Sequence, residues 1–345
     1  MISLIVPHQA AAADYAFASG AFSARRSLLI PLDELQRASQ SGQADLLVAS
    51  LNRSAYAPIG SDMTAGDILA RVEGTWLDFL AQASRELPED FLPTLLKALD
   101  EKEYAKAGLA QALLEANVGP STDAISGEYA AYCERIERTG SSEELLSDSI
   151  FGPALSDGLK AAQAGASASD AQTVFDFSFQ ATLRNLAAVY GSPAVIGYVD
   201  GLLRLMLSGH ALKMKLRSGA GIGAPLQRLL PFLSPDIRAS LTQVSERIQS
   251  ISWDTLQPTD LVPEASGYPL AVGRRYTPEE RMSLLEDALE SWLVGRPEAA
   301  AAEPYGVAVV FAYLMDFRRE VWSLRRLFKA AAIMEQRPAV SGGAS

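Results

Sequence analysis

Residues 304–332, PYGVAVVFAYLMDFRREVWSLRRLFKAAA, open apolar and finish basic. Three readings compete for such a stretch: a membrane span with a positive flank, a nucleic-acid arm, or one long amphipathic helix of a helical protein. Spacing decides between them. Val307, Val310, Phe311, Leu314, Phe317, Val321, Leu324 and Phe328 recur at intervals of three or four, which places them on one face of a helix. Pro304 suits a first helical turn and Glu303 the positive end of the helix dipole, while Arg325, Arg326 and Lys329 fall toward the negative end. The pattern predicts a single helix over about 304–333.

The totals act against the other two readings. The chain has 345 residues, 48% hydrophobic and 21% charged, enough for one large core or two to three modules. Lys+Arg 30 against Asp+Glu 41 gives a net charge of -11, a field that opposes nucleic acid and anionic lipid. No nucleic-acid partner is expected. The longest apolar run, within 305–315, is well short of the roughly 18–20 residues of a bilayer span. A second candidate, VIGYVDGLLRLML at 195–207, contains Asp200 and Arg204. The opening MISLIVPHQAAAADY lacks a basic n-region and is broken at Pro7, so it does not read as a signal peptide. A soluble protein with no direct membrane span is expected. The one cysteine, Cys133, permits no intramolecular disulfide, fits a reducing compartment and reads as a buried helix residue.

Helical periodicity continues through the chain. Asp14–Leu29 reads as a helix running into Pro31, with another from Leu32 to Ala38. Thr64 is placed to cap a helix carrying Ile68, Leu69, Val72, Trp76, Phe79 and Leu80, and Ser192-Pro193 and Thr277-Pro278-Glu279-Glu280 read as further helix starts. Residues 256–276, with three prolines and no helical period, read as a functional excursion or a mobile flap. A helix, a short break and a longer helix occur at 67–114, 173–219 and 279–329, a period of roughly 105 residues. The expected fold is all-α, with an N-terminal arm at 1–13, helical modules at 14–118, 119–221 and 222–336, and a disordered tail at 337–345.

Chemistry is sparse. His8 and His210 lack metal-ligand spacing, and no GxSxG or Cys/His arrangement is present, so no catalytic, cofactor or metal residues are predicted. The glycine-rich RSGAGIGAP at 217–225 follows a helical segment and lacks a Lys-Ser/Thr, which makes it a helix stop rather than a phosphate loop. Acid clusters such as LPED and LDEKE belong to helix starts or polar faces. Arg318, Arg319, Trp322, Arg325 and Arg326 differ, because Trp322 stands at helical-neighbour spacing from arginines on both sides. A helix-stabilising surface is the simpler reading. A protein-contact face is the functional one, since Trp and Arg are enriched in interface hot spots.

Several residues also resemble a known family. Tyr313-Leu314, Glu320-Val321, Leu324-Arg325 and Lys329 lie in the last helix, and the opening arginine-bearing helix leads to Leu51, Ser54 and Tyr56. Together they are similar to the C-subunit family of V/A-type rotary ATPases (ATP synthases), the relatives of the d-type subunit of eukaryotic V-ATPases. Trp322-Ser323 stands where the family has Arg-Asn, and Ala330 where it has glycine. The resemblance implies a funnel of three helical modules about a pseudo-threefold axis. It implies a non-enzymatic rotor subunit that joins the central-stalk subunits to the membrane rotor ring and carries torque for proton or sodium transport. It would be peripheral on the cytoplasmic face, through the ring, with no cofactor. The competing reading is a helical scaffold or adaptor that binds a coiled coil or peptide in another assembly.

Overall fold

The computed structural model describes residues 10–41, 44–60, 62–115, 150–218, 223–271, 276–299 and 305–335. Among these residues there are helices and no strand. In chain order they are α1 (Ala16–Arg26), α2 (Leu32–Ser41), α3 (Val48–Leu51), α4 (Ala65–Glu86), α5 (Phe91–Glu115), α6 (Gly152–Gln163), α7 (Ala168–Tyr190), α8 (Pro193–Ser218), α9 (Gly223–Leu229), α10 (Pro235–Gln249), α11 (Pro258–Leu261), α12 (Pro278–Ala299) and α13 (Val307–Glu335). None of the described helices is long and apolar enough to cross a membrane.

Local chemistry accounts for the helix starts. At α4 the Thr64 hydroxyl accepts from the Asp67 amide at 3.2 Å, and the Asp67 carboxylate accepts from the Thr64 amide at 2.9 Å. Thr277 and Glu280 repeat this reciprocal cap at α12, with bonds of 3.2 and 2.8 Å. α13 begins at Val307, three residues later than the spacing predicts, because Gly306 takes φ +115°, a left-handed conformation outside any α-helix. The three stretches at 67–114, 173–219 and 279–329 fall on the helix pairs α4–α5, α7–α8 and α12–α13. Cys133 and His8 lie outside the described residues, as do the 1–9 part of the arm and the tail.

The chain separates into two compact units, one of residues 10–93 and 297 onward, the other of residues 94–296. This division follows compactness and does not coincide with the repeat-based modules at 14–118, 119–221 and 222–336. In the first unit α13 packs along α4 and against α1 and α2. Its core is aromatic: Phe317 lies 4.7 Å from Phe79 and 5.4 Å from Trp76 between ring centroids, and Tyr313 stacks on Phe22 at 5.3 Å. Every residue of the predicted apolar face of α13 is buried. From Phe311 to Phe317 the helix is buried all round, so this half is a central core helix rather than an amphipathic surface one.

The second unit is built on α7, which packs against α6 and α8. The α6–α7 approach is close because α6 presents Gly152, Ala154, Gly158, Ala161 and Ala162. A Cβ on Gly158 would stand 3.1 Å from the Ala171 carbonyl oxygen and 2.7 Å from a Leu109 methyl. Asp176 on α7, almost fully buried, is paired with Lys106 at 2.6 Å and Lys102 at 2.8 Å. Burial alone would raise its carboxyl; the two lysines hold it below the ordinary range.

The described part of 256–276 is a packed strap. Leu256, Leu261, Val262 and Ala265 are buried. The Gln257 side chain donates to the Leu270 carbonyl at 3.2 Å and accepts from the Leu270 amide at 2.9 Å. Arg281, with 0% exposure, donates to the Leu256 carbonyl at 2.7 and 3.2 Å and to that of Ala271 at 3.1 Å. Carbonyls close a loop here that an apolar period does not.

Candidate functional site

In the first unit, α13 presents two unlike flanks, and four of the five predicted partner-contact residues lie on one of them. Arg318, Trp322, Arg325, Arg326 and Lys329 recur at helical intervals along the flank beside α4, where Arg325 pairs with Glu73 at 3.7 Å. That distance is beyond hydrogen-bond reach, and the buried Arg325 Nε has no hydrogen bond among the described residues. Trp322 is 45% exposed, with the Arg318 guanidinium 6.0 Å from its ring centroid. Arg326 and Lys329 are exposed. Arg319 turns away and pairs with Asp316 at 3.2 Å. The five predicted residues therefore divide: Trp322 and Arg326 are exposed, Arg318 is half-buried against Trp322, and Arg319 and Arg325 pair with acids of the fold.

The opposite flank binds the two ends of the chain together. Asp316 accepts from Arg26 at the end of α1. Glu320, 2% exposed, accepts from the Ile30 amide in the corner between α1 and α2. Tyr56, fully buried, meets Phe317 with ring centroids 6.3 Å apart. Its hydroxyl lies close enough to the Glu320 carboxyl for each to shift the other, without a well-formed hydrogen bond. Burial pushes the Glu320 carboxyl up to about 7, assisted by Asp316 and opposed by the Tyr56 hydroxyl, the Ile30 amide and Arg319. Burial, then the Glu320 charge, raises the Tyr56 phenol well above its ordinary value. The turn holding Tyr56 is braced by Arg71, which donates to the carbonyls of Tyr56 at 3.2 Å and Ala57 at 2.8 Å.

A groove of about 530 Å³ opens on the other flank of α4, over Leu28, Phe79, Tyr313 and Phe317. Its polar groups are largely committed. Arg25 makes a two-pronged pair with Glu86 at 2.9 and 3.0 Å, and Arg71 is bound to carbonyls. Asp78 is the one carboxylate among the lining residues.

Outside this unit, His210 packs 5.1 Å from Phe177, and burial drives its imidazole down to about 4, with Asp176 opposing. Among the described residues no group of three or more His, Cys, Asp or Glu is arranged to hold a metal ion. RSGAGIGAP connects the end of α8 to α9, with 219–222 outside the described residues. Helical spacing did not anticipate the buried roles of Glu320 and Arg281. A signal was present: Glu320 stands three residues after Phe317 and four before Leu324, on the apolar face, and Arg281 stands four before the buried Leu285.

No protein-family model matches this chain, and no curated protein matches it.

Proposed function

We propose that this chain is a non-catalytic rotor subunit of a V/A-type ATPase, linking the central stalk to the membrane rotor ring and transmitting torque. One observation carries the reading. The residues that resemble the family's motifs lie at opposite ends of the sequence, yet Tyr56 and Leu51 from the opening and Tyr313, Glu320, Val321 and Leu324 from the last helix are all buried in one compact unit. Glu320 and Tyr56, two of them, are both buried against Phe317's side of this core, and each shifts the protonation of the other.

Long packed helices supply the stiffness that torque transfer requires. In this reading three helical modules surround a pseudo-threefold axis and form a funnel. The protein sits at the cytoplasmic face of the membrane through the ring, and Arg318, Trp322 and Arg326 belong to a partner contact.

Native mass spectrometry of the full chain mixed with the central-stalk pair from the same source tests the proposal. A one-to-one complex is expected. A folded, helical chain that forms none would overturn it and leave the helical-adaptor reading in its place.

A further inference from the structure

The groove beside α4 carries groups that the fold does not use. Arg71, Gly74, Asp78 and Gln82 recur at intervals of three and four, on the face of α4 that walls it. The Tyr56 and Ala57 carbonyls hold the Arg71 guanidinium by Nε and Nη2. Carbonyls orient a cation without neutralising it, and Arg71 pairs with no carboxylate among the described residues. Nη1 stays open beside Nη2, along the edge that suits a two-pronged carboxylate. Arg25 is satisfied by contrast, since Glu86 occupies both of its terminal nitrogens.

The floor adds an apolar platform and a hydroxyl. Tyr313 and Phe317 lie 5.8 and 4.7 Å from Phe79 between ring centroids. Tyr313 is 4% exposed, yet its hydroxyl makes no hydrogen bond among the described residues. Burial raises its phenol, with Arg25 opposing, so the hydroxyl stays protonated and able to donate. The charges acting on it are those of Arg25, Glu320 and Glu86, not Arg71, so it lies away from the Arg71 end. An enclosed hydroxyl without a partner is costly, and the groove brings one within reach. On the wall, a Cβ at Gly74 would meet nothing within 4 Å, so open space reaches the helix backbone there.

We infer that this groove binds a small amphipathic carboxylate whose acid group sits on Arg71, whose apolar body covers Phe79 and Phe317, and whose uncharged oxygen accepts from Tyr313. The volume of about 530 Å³ suits a ligand of that class. Asp78 stands seven residues beyond Arg71, about 10 Å along α4, and would repel a second acid group at the far end. A monoacid is therefore selected over a diacid. An amine would have only Asp78, an exposed side chain that no hydrogen bond holds among the described residues, and would face the fixed Arg71 charge. The site stands apart from the rotor assignment, and stalk binding and carboxylate binding are separate readouts.

Calorimetric titration of the full chain with ω-benzoylalkanoates of increasing chain length tests the site. Their primary amides, and the ω-phenylalkanoates that lack the ketone, serve as controls. At least one keto acid should bind saturably, about tenfold tighter than its amide. Arg71→Gln should weaken it by about tenfold. Gly74→Leu, whose side chain would fill the open space, should abolish it with helicity by circular dichroism unchanged. Tyr313→Phe should weaken the keto acid about fivefold and leave the phenyl acid unaffected. No saturable binding by any keto acid, amides that bind as tightly as acids, binding indifferent to Gly74→Leu, or a Tyr313→Phe loss shared by both acids would overturn the inference.

Discussion

Replacing Glu320 by glutamine isolates the cost of one buried carboxylate. The side chain is 2% exposed, and glutamine preserves its shape and an oxygen to accept from the Ile30 amide. Burial moves the folded-state carboxyl from 4.5 to about 7. The proton is therefore held more tightly in the folded chain than in the unfolded one. Its contribution to stability is complete below the unfolded value of 4.5 and is lost as pH rises through about 7. At 1.36 kcal/mol per unit, that interval corresponds to about 3 kcal/mol. Urea unfolding of the wild type and Glu320→Gln, followed by the near-UV signal of the aromatic core, gives the difference in stability at each pH. Contributions from other titrating groups cancel in this difference. The stability of the variant relative to wild type should rise by about 3 kcal/mol between pH 4.5 and 8 and level off above that. A difference that stays constant across this interval would show that Glu320 ionises as it does in water, and the account of the buried corner would fail.

Gly158→Ala should destabilise the second unit by about 1–3 kcal/mol, because its Cβ would press on the Leu109 methyl and the Ala171 carbonyl. Thermal melts of a double-mutant cycle with Leu109→Ala check this: the loss should shrink in the alanine background, and an equal loss would place the strain elsewhere. His210, held neutral with its imidazole at about 4 against 6.5, contributes stability that is full above 6.5 and lost as pH falls toward about 4. His210→Gln should flatten the acid limb of the stability profile by about 3 kcal/mol, read by urea unfolding over that range. Arg281→Met keeps the apolar stem but leaves the Leu256 and Ala271 carbonyls without their donor, at a cost of about 2–4 kcal/mol. Hydrogen exchange should rise across 256–271; unchanged protection would mean that the strap is held by its apolar contacts alone.

The helices were legible because the interactions that form them are local. A 3.6-residue period marked the buried face of α13, and Thr64 and Thr277 announced their helix starts through hydroxyls that reach an amide three residues on. The Gly306 break was less visible, since Pro304 is an equally good first-turn residue and the left-handed φ depends on where the chain must turn to reach Ser19, whose hydroxyl accepts from the Gly306 amide at 3.0 Å. Of the predicted contact residues, Trp322 and Arg326 are exposed as a surface site requires. Arg319 and Arg325 are claimed by Asp316 and Glu73. Helical spacing placed all five arginine and tryptophan residues around the same turns, but it contained no information about which flank a neighbouring helix would occupy.

Sequence alone determined that this protein is helical and where several of its helices begin, because each such choice is settled within about four residues along the chain. Only the tertiary structure decided which faces meet. It brought Glu320 to an amide 290 residues away, enclosed a carboxylate and a phenol together, and gave Arg281 carbonyls in place of an acid. An acid or arginine on an apolar face reads locally as an exception. Whether it is exposed, paired or buried depends on atoms delivered by distant segments, and burial then sets its protonation.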